Sequence, residues 1–354
     1  MTFLPIVTLS SVALFLLAVS LHFFYALSIL GLIFVFCEIS ALVLLLTLPV
    51  SLLISKQFPN RPQQNTTFSS SRRFFLKSST SILPALAVGG TIRGIGGAYE
   101  RVRIPKIRFL FKQLPPALNG FKILHLSDLH LGYYRGMDDL ENLLSRVADQ
   151  GIDLVLITGD VADDLDLLSP ALRLIDQVPS RFPKIMSLGN HEYYRGINIV
   201  LHILSRSPIR LLVNTGISLP VNGRIVYVGG ADDPVTLRND ISGFLQETAF
   251  KAMKMAPRDS FKILMSHRPR ALNVAPPYKV DLILSGHTHG GQIGINGRSV
   301  LEGLDRNRYW WGKYRRQGTQ MYTSSGIGHW FPFRLGCPPE APVIELRSDQ
   351  RIMV

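Results

Sequence analysis

Ser285-Gly286-His287-Thr288-His289-Gly290-Gly291-Gln292 sets two imidazoles two residues apart, framed by glycines, directly after the mostly apolar run at residues 280–284. A buried strand that ends in such a glycine-framed pair presents both rings at its C-terminal edge, with no bulky neighbour in the way. Imidazole suits borderline transition metals. Alone, the pair describes a surface turn equally well, and its meaning depends on what precedes it.

Four further polar clusters precede it, each after a short, mostly apolar run that reads as a buried strand. Asp128-Leu129-His130 follows residues 121–126, and Gly159-Asp160, with Asp163 three residues on, follows Leu154–Thr158. Gly189-Asn190-His191-Glu192 follows residues 183–188, and His267 follows Phe261–Met265. Any one Asp or His after a strand is commonly a cap or loop residue. Five clusters of oxygen and imidazole donors, none with cysteine, are a different matter. Open α/β sheets hold ligands outside the carboxyl ends of their strands, so five strand ends can gather seven candidate ligands at one crevice. The nitrogen and oxygen set excludes thiolate zinc sites and haem and fits Mn, Fe, Zn or a mixed pair.

The order D-x-H, G-D-x-x-D, G-N-H-E, H, G-H-x-H resembles that of the calcineurin-like metallophosphoesterases, across residues 121–346. GNHEYY at 189–194, Ala231-Asp232-Asp233-Pro234, the GHTHGGQ run and FRLGCPPE at 333–340 are similar to the membrane-associated YkuE/YaeI-like branch. Arg268 departs from the pattern, since an Asn is expected after His267. The ligand is intact, and the departure falls on the neighbouring substrate contact.

The resemblance implies an α/β fold, a four-layer α/β/β/α sandwich of two mixed sheets between helices; the apolar front of the chain places transmembrane helices ahead of it. It implies two divalent metal ions. Asp128, His130, Asp160 and His289 hold one; Asp160, Asn190, His267 and His287 hold the other, with Asp160 bridging. The chemistry agrees, because a carboxylate has two oxygens and can span cations roughly 3.5–4 Å apart. Asn190 adds a neutral oxygen, and a solvent oxygen shared by the metals becomes hydroxide near neutral pH and attacks phosphorus in line. His191, beside a ligand but not one itself, is the candidate for protonating the leaving oxygen, with Asp163 to orient it. The competing readings are a supporting structural histidine for His191 and, for Asp163, an N-cap of the helix expected at 166–177. His125, His202 and His329 read as a strand residue, a helix face and a loop.

The front of the chain differs in kind. Residues 3–55 are almost wholly apolar, with His22 and Glu38 the charge-bearing exceptions. One span needs about 20 apolar residues, so residues 1–55 are expected to form a membrane hairpin of two helices, with Glu38 facing a helix partner or marking a helix end. Residues 56–100 form a basic linker. Within it, Ser71-Arg72-Arg73-Phe74-Phe75-Leu76-Lys77 looks like a bacterial twin-arginine export signal ahead of a weak third apolar segment. An ordinary positive-inside anchor would carry the same charges.

Residues 56–112 hold eleven Lys or Arg against Glu100 alone, ten of the thirteen net positive charges of the 354-residue chain. Outside that segment the chain is nearly balanced, including most of the metallophosphoesterase domain expected at 101–354. That argues against nucleic-acid binding, which needs its basic stripe on the folded face. It favours a juxtamembrane segment on anionic head groups. A basic–aromatic patch from Arg306 through Tyr309, Trp310 and Trp311 to Arg316 reads either as a membrane-facing surface or as a solvated loop with one buried Trp. Cys37 and Cys337, the two cysteines, make no disulfide framework.

Charge also sets topology. With 56–77 cytoplasmic, the N-terminus is cytoplasmic too, and the segment at 78–97 carries the catalytic domain outside the inner membrane. If that segment, interrupted by Arg93, lies along the surface, the enzyme faces the cytoplasm. The expected activity is phosphoester hydrolysis beside a membrane, with a lipid-linked phosphate as substrate. Two alternatives stand beside it. Some members of the branch are UDP-2,3-diacylglucosamine pyrophosphatases of lipid A biosynthesis, which fits only a cytoplasmic site. A tethered phosphatase of soluble nucleotides or phosphoproteins is the other. A membrane scaffold with a degenerate site conflicts with the full ligand set.

Overall fold

The computed structural model describes residues 89–233, 239–329 and 331–349. The expected hairpin at 1–55, the basic linker and the start of the third apolar segment lie outside the described residues. Among the described residues no helix is long and apolar enough to cross a membrane. These residues divide into two compact units, 89–97 with 331–335, and 98–329 with 336–349. In the small unit, residues 89–97 are helical and Gly94 O accepts from Arg334 N at 2.7 Å.

The large unit runs through fourteen strands: β1 (Lys106–Phe111), β2 (Lys122–Leu126), β3 (Leu154–Thr158), β4 (Ile185–Ser187), β5 (Arg210–Leu211), β6 (Thr215–Val221), β7 (Arg224–Gly230), β8 (Phe261–Met265), β9 (Leu282–Ser285), β10 (Gly294–Ile295), β11 (Arg298–Ser299), β12 (Gly312–Arg316), β13 (Thr319–Thr323) and β14 (Val343–Ser348). Twelve of them form two six-stranded sheets, in the order β1-β14-β2-β3-β4-β5 in one and β12-β13-β9-β8-β7-β6 in the other, and β10 pairs with β11. Both sheets are mixed. In the first, β14 runs antiparallel to β2, and in the second the edge strands β6 and β12 are antiparallel to their neighbours.

Alternation along the strands builds the layers. On β3, Leu154 and Leu156 face a core shared with Val228 of β7, Ile263 of β8 and Leu284 of β9, so the sheets pack face to face. Val155 and Ile157 face the opposite way, onto Leu140, Leu143 and Leu144 of the helix Met137–Val147 and Leu172 of the helix Leu165–Asp176. On the far side, Leu264 and Ile283 pack with Ala249, Ala252 and Met253 of the helix Ile241–Met253. The order helix, sheet, sheet, helix is the expected α/β/β/α sandwich. Strands buried on both faces lose the polar–apolar alternation and read as continuous apolar runs, which is why β3 and β8 match their sequence boundaries.

The basic–aromatic patch does not face outward. Tyr309, Trp310 and Trp311 are all buried. Trp311 Nε1 donates to Glu340 Oε1 at 3.0 Å, Trp310 Nε1 to Asp305 O at 3.0 Å, and Tyr309 Oη to Asn273 Oδ1 at 2.6 Å. Each ring hides its apolar body and finds a partner for its polar tip. The exposed residues of the stretch are its cations, Arg306, Arg308, Lys313, Arg315 and Arg316, and Asn307. Neither a membrane-facing belt nor a loop with a single buried Trp describes it.

Candidate functional site

All five polar clusters lie at carboxyl ends of strands. Asp128 and His130 follow β2, Asp160 and Asp163 follow β3, His267 follows β8, and His287 and His289 follow β9. Asn190 and His191 open the short helix Asn190–Tyr194 after β4. Three clusters come from one sheet and two from the other, so the crevice exists only where the sheets pack together.

The chain turns sharply at these positions. Asp128, His130, Asp160, His287 and His289 all have positive φ, between 46° and 68°. For residues with a Cβ this region costs of order 1–3 kcal/mol each, and such strain gathers at functional sites. Close approach explains two glycines. A Cβ on Gly286 would fall on Ser127 Oγ and Asp128 Oδ2, and one on Gly159 on the Gly189 backbone.

Three triads have donor atoms all within 4.8 Å of one another: Asp128, His130 and His289; His130, Asp160 and His191; Asp160, His267 and His287. His289 Nε2 lies 3.4 Å from Asp128 Oδ1 and 3.2 Å from His130 Nε2. Asp160 Oδ2 is 3.1 Å from His267 Nε2 and 3.7 Å from His130 Nε2, so it stands between the triads. Asn190 Oδ1 is 3.2 Å from His267 Nε2.

The outer ring nitrogens show which way these imidazoles are set. His267 Nδ1 is 2.7 Å from Thr158 O, and a carbonyl can only accept. Nδ1 therefore carries the proton, and in the neutral ring Nε2 carries the lone pair. Asp163 does the same for His130, with Oδ2 at 3.1 Å from Nδ1. Metal-binding histidines are oriented in this way.

The electrostatics call for positive charge at the same place. Burial opposes protonation of His267, but Asp160, Asp128 and Asp233 outweigh it and raise its pKa to about 10. Burial likewise opposes protonation of His130, and Asp163, Asp160 and Asp128 overcome it to give about 9. Burial alone would raise Asp160, yet His267, His191 and His130 hold it well below the usual carboxylate range. Buried carboxylates gathered around imidazole lone pairs, with no sulfur, fit a pair of divalent cations.

Asp163 also reaches His191, with Oδ1 2.6 Å from Nδ1, and pairs with Arg195 Nη2 at 3.1 Å. It does not cap the following helix. Asp164 does, accepting from Asp166 N at 3.0 Å. His125 is buried on β2 with Nε2 2.9 Å from Thr158 Oγ1, His202 is exposed on the helix Ile197–Leu204, and His329 is buried with its ring stacked 5.2 Å from Tyr134.

Two supports went unassigned in the sequence. Glu192, the last letter of the G-N-H-E motif, accepts from Gly189 N at 2.7 Å and Asp160 N at 2.9 Å through Oε2, and from Val161 N at 2.9 Å through Oε1. It ties the β3 and β4 loops together. Arg268 pairs with Asp233, Nε lying 2.8 and 3.1 Å from the two carboxylate oxygens, and its Nη1 lies 2.8 Å from His287 Nε2. The motif order marked both neighbourhoods but neither partner.

The calcineurin-like phosphoesterase family pattern matches residues 121–291. A metallophosphoesterase of Aquifex aeolicus is 30% identical over 71% of this chain and 96% of its own length. One from Helicobacter pylori is 33% identical over 71% of this chain, and YkuE of Bacillus subtilis is 28% identical over 78% of this chain and 98% of its own. The chain spans 66% of the Helicobacter pylori protein. The chain belongs to the calcineurin-like phosphoesterases, a family of metal-dependent hydrolases, and within it to the YkuE-like branch.

Proposed function

We propose that this protein is a membrane-anchored dinuclear-metal phosphoesterase that acts on a lipid-linked phosphate. The observation that carries the reading is the meeting of the five clusters at one crevice, with Asp160 between two imidazole-bearing groups. Asp128, His130, Asp160 and His289 would hold one cation, and Asp160, Asn190, His267 and His287 the other. When bound, such a pair supplies Lewis-acid charge to a phosphoryl oxygen and lowers the pKa of a water. The ligand set leaves Mn, Fe and Zn equal candidates.

The chain's own residues supply the rest. His191, held through Nδ1 by Asp163, offers Nε2 to the leaving oxygen. Asp163 keeps that tautomer and steadies the ring when it is protonated. Support for the membrane lies in residues 3–55, a mainly apolar segment long enough for two spans, and in the basic run that follows. The placement at a bacterial inner membrane, with the domain outside the cytoplasm, rests on the same charges and on the twin-arginine-like Ser71–Lys77 segment.

The test is a substrate screen on the detergent-solubilised full chain, with metal analysis of the same sample. Lipid phosphates, UDP-2,3-diacylglucosamine, soluble nucleotides and phosphopeptides form its arms. Two metals per chain with turnover greatest on a lipid phosphate supports the reading. Turnover confined to soluble compounds removes the lipid substrate. A reporter fused after Val354 reads the side of the membrane, and cytoplasmic signal would overturn the outward placement.

A further inference from the structure

Arg268 stands where the family pattern leads one to expect Asn, at the rim of the proposed metal site. Asp233, buried just beyond β7, fixes the guanidinium through both oxygens. Nη1 meets His287 Nε2. Nη2 is buried and has no hydrogen-bond partner among the described residues. A buried donor without a partner costs about 1–3 kcal/mol, and a fixed cation beside two expected cations adds repulsion. Both costs fall when an anion arrives. The nitrogen of His287 cannot accept from a guanidinium and bind a metal at once, so metal loading leaves Nη1 available beside Nη2. Two parallel N–H donors on a rigid fork match the oxygens of a phosphate.

We propose that Arg268, positioned by Asp233, is a phosphate-binding residue that selects phosphomonoesters over phosphodiesters. This rests on the phosphoesterase reading above. A diester phosphoryl group carries one negative charge, which two divalent cations already exceed. A monoester carries a second, and its further oxyanion is the group that a third cationic partner recognises. The monoester can sit on a lipid or on a soluble molecule, since the guanidinium reads the phosphate in either case.

The test compares the metal-loaded full chain with Arg268→Gln, Arg268→Lys and Asp233→Asn. Readouts are kcat/KM on p-nitrophenyl phosphate, on vesicles containing phosphatidate, and on bis(p-nitrophenyl) phosphate, together with metal content and calorimetric affinity for inorganic phosphate. Arg268→Gln is expected to lose about tenfold to a hundredfold on monoesters and on inorganic phosphate, with the diester changed less than about threefold and both metals retained. Arg268→Lys should recover part of the loss, and Asp233→Asn should follow Arg268→Gln more weakly. The monoester on which the unaltered protein has the higher kcat/KM, free or in the vesicle, identifies the source. Equal losses on both ester classes, unchanged phosphate affinity, or loss of metal would overturn the assignment. If the unaltered chain hydrolyses none of these esters, the phosphoesterase reading fails, and the phosphate affinity of wild type against Arg268→Gln still decides the role of Arg268.

Discussion

The Asp163 carboxylate lies 2.6 Å from His191 Nδ1, which leaves Nε2 as the ring nitrogen able to meet a substrate. His191 also lies within reach of His130 and Asp160, so the metal content of a variant distinguishes proton donor from metal ligand. His191→Ala is expected to keep both metals and to slow turnover by about two to four orders of magnitude. Metal analysis beside steady-state kinetics checks it, and an emptied metal position in the variant would make His191 a ligand instead.

Asp160 reaches both imidazole groups, and its Oδ1 accepts from His191 N at 2.9 Å. Asp160→Asn keeps the shape and removes the charge. Metal affinity should fall by roughly 10–100-fold or more, with most of the turnover lost. Titration of the metal-free variant with Mn or Zn measures this, and affinity equal to wild type would remove the bridging role.

Glu192 takes three backbone N–H donors on the β3 and β4 loops. Glu192→Gln turns one acceptor into a donor that faces an N–H. A loss of about 1–3 kcal/mol is expected from the stranded group, together with weaker metal binding, because Asp160 loses its support. Denaturant unfolding of both proteins gives the first number, and an unchanged midpoint would show that Glu192 is not a brace.

His125 gives a pH signature away from the metals. Burial lowers its pKa to about 3, against 6.5 when free. The unfolded chain therefore binds a proton below pH 6.5 that the folded chain refuses. The associated stability is complete above pH 6.5 and falls as pH drops towards 3, by roughly 1.4 kcal/mol per unit. His125→Gln should flatten the stability curve between pH 6.5 and 4 relative to wild type. Parallel curves for the two proteins would show that another group sets the slope.

Much of the sandwich and the site was legible because each candidate ligand follows a strand by one or a few residues. Period and motif are local, and β3 and β8 are buried on both faces. Strands β1, β5, β6 and β12 and the helix Ile241–Met253 escaped that reading. The edge strands alternate or are very short, and β1 finds its parallel partner β14 only at the far end of the chain, as in the pairing of Lys106 with Val343.

By itself the sequence determined the donor chemistry, the order of the strands that carry it and the apolar front segment, since these depend on residue type and spacing. The tertiary structure decided the rest. It put five ligand candidates at positive φ, set Glu192 beneath Asp160, closed Arg268 onto Asp233 and turned Tyr309, Trp310 and Trp311 inward. Those outcomes depend on which distant surfaces exclude water together and which buried polar groups must then find one another, and no local pattern encodes that.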